Sequence, residues 1–362
     1  MKNNKKIFVT KTFLPPLKKY QHYLKKIWKN NQLTNQGPLL KEFEIKLKKY
    51  LNVPYLHFIT NGTLALQIAL KALNIEEGEV ITTPFSYVAT ISSILWERCQ
   101  PVFVDIRPDS FCLDPEKIEE KITKKTKAIM PVHVFGLPCA VEKIEKIAQK
   151  YHLKVIYDAA HAFGVFYKGK SLLNYGDISV GSFHATKIFH TIEGGCLITK
   201  DKKISDAIDL IKRFGHYGDI HYRLGINAKA SEFQAAMGLC NLDYIDENIE
   251  KRKKVFDFYN QFLDSKFQRP PIPKDIRYNY NYYPILFESE SKLLKAIKSL
   301  NKKNIYPRRY FYPSLNTLPY LKNAQKCPIA EDISKRILCL PLSENLEVEV
   351  LERIIKIINQ YV

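Results

Sequence analysis

The sequence predicts an α/β protein built on a mostly parallel sheet, with a smaller α+β lobe at the C-terminal end. Three observations lead there. Short, strongly apolar runs at Val80–Thr83, Pro101–Asp105, Ala128–His133, Val155–Tyr157 and Ile178–Val180 alternate with helical stretches such as Val141–Tyr151. That is the βαβ rhythm of strands buried on both faces. At 362 residues the chain is long for a single core. From about Asp243 the pattern changes: a charged helical stretch, Ile245–Leu263, runs into Pro270-Pro271-Ile272-Pro273. We therefore expect a large lobe over residues 1–245 and a small one over 246–362, with the N-terminal segment packing on the small lobe.

In chain order, Ile7–Val9 carries a short strand signal. Pro15-Pro16 then opens an amphipathic helix with Leu17, Tyr20, Leu24, Ile27 and Trp28 at helical spacing, proline being tolerated in a first turn. Leu33-Thr34-Asn35-Gln36-Gly37-Pro38 is a turn-rich break before a second helix, Leu39–Leu51. His57–Thr60 is strand-like and feeds, through Asn61-Gly62-Thr63, a helix over Leu64–Leu73. A glycine turn at a helix N-terminus presents free amides and the positive dipole end to an anion. Ser231 reads as the N-cap of a later helix. In the small lobe, Tyr278–Phe287 reads as a strand, Glu290–Lys303 as a helix and Leu351–Tyr361 as the closing helix. Between them lies Arg308-Arg309-Tyr310-Phe311-Tyr312-Pro313. Its guanidinium groups suit a pyrophosphate and its rings a base, though a solvated loop fits the same residues.

Composition narrows the function classes. With 46% hydrophobic and 26% charged residues the chain is ordinary folded material. No apolar run approaches membrane-spanning length, and basic Met1–Lys6 leads into no hydrophobic signal core. A cytoplasmic protein without a membrane partner is expected. Seven cysteines, an odd number with no C-x-x-C pair, read as reduced thiols rather than a zinc site or disulfide framework; no metal is expected. Lys and Arg number 56 against 37 acidic residues, a net charge of +19, which invites a nucleic-acid-binding or regulatory reading. The lysines are spread over many amphipathic segments, with no basic arm or finger, so no nucleic-acid partner is expected. A basic surface also attracts nucleotide diphosphates.

Two stretches carry the chemistry. Gly181-Ser182-Phe183-His184-Ala185-Thr186-Lys187 continues to Glu193-Gly194-Gly195, between the apolar runs Ile178–Val180 and Cys196–Thr199. Upstream, Asp158-Ala159-Ala160-His161 follows Val155–Tyr157 directly. Ligands of open α/β sheets bind beyond the carboxyl ends of the strands, so Asp158 and Lys187 both fall where a site belongs. Burial and neighbours can lower a lysine pKa and expose its nucleophilic form. A carboxylate straight after a buried strand needs a partner, because an unpaired buried charge is costly. Each alone also reads as an ordinary turn lysine or a capping aspartate.

Together these motifs resemble the nucleotide-sugar aminotransferases of the DegT/DnrJ/EryC/StrS group, from about Leu33 to the C-terminus. Those are pyridoxal-phosphate (PLP) enzymes of fold type I, the aspartate-aminotransferase fold. The resemblance implies that Lys187 carries the PLP aldehyde and moves protons, and that Asp158 holds the pyridine nitrogen charged. It further implies that Gly62, Thr63 and Ser182 cradle the phosphate. Tyr87, in Pro84-Phe85-Ser86-Tyr87-Val88-Ala89-Thr90, would stack on the ring, Ala160 would face it, and His161 would bond its phenolic oxygen. The block Gly225-x-Asn227-x-Lys229-x-Ser231-Glu232-x-Gln234-Ala235-Ala236-x-Gly238 matches the family pattern, in which the asparagine reaches into a neighbouring subunit, so Asn227 implies a homodimer with shared sites. Thr34, Asn35, His184, Arg308, Arg309, Tyr310 and Tyr312 are the substrate-contact candidates. Lysine rather than histidine at 187 excludes the related sugar dehydratases. Phe183-His184-Ala185-Thr186-Lys187 is more similar to the branch aminating C4 of dTDP-4-dehydro-6-deoxy-D-glucose than to the Phe-Tyr-Pro-Gly-Lys loops of C3 enzymes. The implied reaction moves an amino group from L-glutamate, through pyridoxamine phosphate (PMP), to give dTDP-4-amino-4,6-dideoxy-D-glucose for surface glycans. A 3-keto dTDP-sugar or a UDP-linked 4-keto sugar is the alternative acceptor.

Overall fold

The computed structural model describes residues 6–321 and 324–362; the basic stretch Met1–Lys6 therefore lies, apart from Lys6, outside the described residues. The main sheet has seven strands: β1 (Tyr55–Ile59), β2 (Gly78–Thr82), β3 (Cys99–Phe103), β4 (Thr126–Met130), β5 (Lys154–Asp158), β6 (Ile178–Ser182) and β7 (Gly195–Thr199). Their order is β1-β7-β6-β5-β4-β2-β3. Every neighbouring pair is parallel except those of β7, which runs antiparallel to β1 and β6. The sheet is buried on both faces. Val80, Ala128, Ile156, Val180 and Leu197 pack into one apolar cluster with the helix Gly62–Ala72. Ile81, Ile129, Val155, Tyr157 and Cys196 point the other way, into a larger one. This two-sided burial is why the strands read as continuous apolar runs rather than alternating ones.

The larger cluster continues into the small lobe through Ile285, Phe287, Leu338 and Ile354. There Tyr283–Leu286 pairs antiparallel with Ile337–Leu340, flanked by the helices Glu290–Asn301 and Val348–Ile358. At the other end of the chain, Ile7–Phe8 pairs in parallel with Ile305–Tyr306, so the N-terminal segment adds a strand to small-lobe backbone.

Two expectations shift. The strand expected over Tyr278–Phe287 forms only at Tyr283–Leu286. Tyr280 takes a left-handed φ of 51°, and the Asn279 amide is spent on the carbonyls of His161 (2.8 Å) and Phe163 (2.9 Å). The helix expected from Leu64 starts at Gly62, with Asn61 as its N-cap accepting from Leu64 N at 2.9 Å.

Helix capping explains two motifs, one through a distant contact and one locally. Buried Glu232 accepts from Leu39 N (2.9 Å) and Leu40 N (2.8 Å), 193 and 192 residues earlier, and so caps the helix Pro38–Leu51. Gly37 must be glycine because a Cβ would lie 2.7 Å from Glu232 Oε1. Ser231 and Gln234 form a capping box at the head of the helix Glu232–Leu242.

Candidate active site

The C-terminal ends of β1, β5 and β6 surround a cavity of about 720 Å³ that also touches small-lobe residues. Asp158 ends β5, its backbone stitched to the chain just beyond β4: its N–H donates to Pro131 O (2.9 Å) and its carbonyl accepts from His133 N (3.0 Å). Its carboxylate is buried and accepts from Thr90 Oγ1 (2.8 Å) and Ala160 N (3.2 Å), while Ser86 Oγ sits 2.7 Å from the Thr90 hydroxyl. Burial pushes the Asp158 carboxyl above its usual range, against those two hydrogen bonds and the charge of Lys187. Lys187 lies in the β6–β7 loop, with its N–H bonded to His184 O at 2.9 Å. Burial lowers its ammonium to about 8, and Asp158 works in the opposite direction. Near neutral pH the amine therefore exchanges protons readily.

At the cavity's other end is the head of the helix Gly62–Ala72. Asn61 takes the amides of Leu64 and Ala65, which leaves those of Gly62 and Thr63 without a protein partner among the described residues. Ser182 faces Gly62 across β7. Gly195 lets β7 pass this close: a Cβ there would lie 2.6 to 2.7 Å from the backbone of Asn61 and Gly62. Two free amides on a helix N-terminus with a nearby hydroxyl make an anion site.

Rings close the remaining sides. Tyr87 is 63% exposed and lines the cavity, so it is not a core tyrosine. His161 is buried in a stack with Phe135 and Phe311. Its Nδ1 accepts from Phe135 N at 3.1 Å, which puts the proton of the neutral ring on Nε2. Burial, then Lys187, lowers its pKa well below the ordinary value, so Nε2–H is a standing donor.

Of the residues singled out from sequence, Gly62, Thr63, Tyr87, Asp158, Ala160, His161, Ser182, His184, Lys187, Arg308 and Tyr310 meet at this cavity. Arg309 does not. Its guanidinium bonds Glu290 at 2.6 Å and the carbonyl of Lys335 at 2.9 Å, and lies 3.5 Å over the Tyr312 ring. Adjacent residues in an extended chain point opposite ways, so Arg308 faces the cavity and Arg309, with Tyr312 over it, faces the small lobe. Thr34, Asn35 and Asn227 are exposed and away from the cavity. Asn35 borders a separate recess with Arg213, His216 and Lys229, and Asn227 accepts from Lys229 Nζ at 2.8 Å. Sequence reasoning missed Thr90, Tyr282 and Glu193. Thr90 carried a signal: it is the last residue of the Tyr87 motif and lies in the first turn of the helix Ala89–Trp96.

A family model described as the DegT/DnrJ/EryC1/StrS aminotransferase family matches residues 17–359. The chain belongs to that family. A dTDP-4-amino-4,6-dideoxy-D-glucose transaminase of Shigella dysenteriae is 44% identical over 98% of this chain and 99% of its own length. Among solved structures, DesI with its TDP-sugar product superposes with a TM-score of 0.93 at 28% identity, covering 98% of this chain and 92% of that one. NtdA of Bacillus subtilis with bound cofactor PMP gives 0.88 at 28% identity, covering 95% and 81%. The family's fold is the α/β architecture described above, with its mostly parallel sheet and smaller C-terminal lobe. Among the described residues no helix is long and apolar enough to cross a membrane.

Proposed function

We propose that the chain is a PLP-dependent aminotransferase that moves the amino group of L-glutamate to C4 of dTDP-4-dehydro-6-deoxy-D-glucose. The observation that carries the reading is one cavity holding a buried carboxylate, a lysine with pKa about 8 and a helix-head anion site. These groups fit the cofactor part by part. Asp158 is a buried carboxylate with two neutral donors and room for a cationic one, which a pyridinium N–H supplies. The orphan amides of Gly62 and Thr63, with Ser182, match a phosphate. Exposed Tyr87 offers a face for stacking, and His161 Nε2–H a donor for the phenolic oxygen.

When bound, PLP supplies an aldehyde to receive the amino group and a ring to take up electrons. The protein supplies proton transfer and position. Lys187 Nζ takes the proton from the donor carbon that bears nitrogen, and in the second half delivers one to C4 of the sugar. Thr90 and the Ala160 amide donate to the Asp158 carboxyl and favour its ionised form against the effect of burial, with Ser86 beside the Thr90 hydroxyl. Arg308 and Tyr310 lie at the mouth, where the diphosphate and base would rest. The acceptor assignment is supported by the 44% identical relative and by the β6–β7 loop sequence. We assign the large lobe to residues 1–245 and the small one to 246–362. A homodimer accounts for Asn227, Thr34 and Asn35 lying off the cavity, and for exposed Phe214, Ile220 and Leu224 beside them; sedimentation at micromolar concentration should show a dimer.

The test is incubation with PLP, L-glutamate and a panel of keto-sugar nucleotides, read by product mass and NMR. A 4-amino-4,6-dideoxyglucose product linked to dTDP is expected. Turnover of only UDP-linked or 3-keto acceptors refutes the substrate assignment. Turnover by Lys187→Ala refutes the mechanism.

A further inference from the structure

Among the charged groups of the cavity, Asp158, Lys187 and Arg308 have been given roles, but Glu193 has none. A carboxylate beside an anion-binding site opposes every anionic ligand unless it receives hydrogen bonds in return. Its backbone is held with unusual firmness. Ile192 has φ of +71°, a left-handed conformation that a β-branched residue adopts only under constraint. The Glu193 carbonyl accepts from Thr191 Oγ1 (2.8 Å) and Gln234 Nε2 (2.7 Å). A Cβ on Gly194 would overlap the Thr191 hydroxyl, so the next residue is also pinned.

The His184 ring lies against the Glu193 side chain. His184 Nδ1 accepts from Thr186 N at 3.2 Å, which leaves the proton of the neutral ring on Nε2, 3.4 Å from Glu193 Oε1. The second oxygen, Oε2, has no protein hydrogen-bond partner among the described residues, and the side chain is about half exposed at the cavity wall. A carboxylate oxygen only accepts. Beyond its diphosphate, the donors a nucleotide sugar brings are the base N–H and the hydroxyls of its sugars. Glu193 shares the β6–β7 loop with Lys187, where the reacting hexose must lie.

We propose that Glu193, held by the Ile192 turn beside His184, is a specificity-determining residue that accepts hydrogen bonds from the hydroxyls of a neutral hexose. Its negative charge disfavours sugars that carry a carboxylate. The proposal rests on the nucleotide-sugar reading of the cavity.

The experiment is calorimetric titration of the full chain with dTDP, dTDP-glucose and dTDP-glucuronate. The wild type should bind dTDP-glucose more tightly than dTDP, and dTDP-glucuronate more weakly than dTDP-glucose. Glu193→Gln should reduce the first ratio about tenfold, the loss of one charge-assisted hydrogen bond, and tighten dTDP-glucuronate by a similar factor. Its Kd for dTDP alone should not rise, because dTDP brings no hexose hydroxyl and the removed charge only repels the diphosphate. Ile192→Gly, which permits the same φ without strain, should lose part of the sugar discrimination without lowering the unfolding midpoint. Wild-type ratios in Glu193→Gln overturn the proposal while leaving the nucleotide-sugar reading standing. A wild type that binds none of the three overturns that reading, and this proposal with it.

Discussion

Replacing Gly195 by alanine tests the phosphate cradle without touching any group that reacts. The added methyl would sit 2.6 Å from Asn61 C and 2.7 Å from Gly62 N, about 0.9 Å short of an ordinary 3.5 Å contact. β7 cannot retreat, because Gly195 is paired with Ile59 on one side and Ser182 on the other. The displacement therefore falls on the Asn61–Gly62 peptide. Overpacking of this kind costs about 1–3 kcal/mol. Moving the Gly62 amide by ~0.9 Å takes a hydrogen bond of about 2.9 Å beyond useful reach. A hydrogen bond to a charged group contributes about 1.5–3 kcal/mol, so PMP affinity should fall roughly 10- to 100-fold. PMP is the right probe because it cannot couple to Lys187, and pyridoxamine, which lacks the phosphate, is the control. Calorimetry should show the loss for PMP only, and urea unfolding should show the packing cost. If Gly195→Ala keeps both wild-type PMP affinity and the wild-type unfolding midpoint, the close approach of β7 to the helix head does not position the anion site.

Two further outcomes are expected. Lys187 has a folded pKa of about 8 against 10.5, so its unfolded form binds more protons between those values and its own contribution to the stability of the cofactor-free protein should rise with pH across that window, while buried thiols such as Cys99 and Cys196, pushed up by burial, act in the opposite sense. In urea titrations from pH 8 to 10.5, the stability of the wild type relative to Lys187→Met should rise with pH, the thiol contributions being common to both. The neighbouring arginines should separate: Arg308→Ala raises KM for the sugar nucleotide with little change in stability, whereas Arg309→Ala breaks its bond to Glu290 and the stack on Tyr312. The second variant should lose about 1–3 kcal/mol in chemical unfolding, with KM near the wild-type value.

Much of this protein was legible in its residues. Strands buried on both faces announce themselves as apolar runs, and in an open α/β sheet the loops beyond such runs belong to the site; that rule places Asp158 and Lys187 there, and the resemblance of the paired motifs is what gives them roles. Helix caps are local as well, and Ser231 with Gln234 needed no tertiary knowledge. Other features depend on contacts that no local pattern encodes. Glu232 stands in the sequence only as one position of the Gly225–Gly238 block, yet it caps a helix almost two hundred residues earlier. Arg308 and Arg309 are alike in composition and neighbours, and only the direction of the backbone separates the one facing the cavity from the one locked to Glu290. Gly195 looks like loop punctuation until β7 is seen passing the helix head. Periodicity and capping are properties of residues a few positions apart, so the chain carries them openly. Which side chain meets which cavity depends on packing between distant segments, and that is settled only when the lobes close on one another.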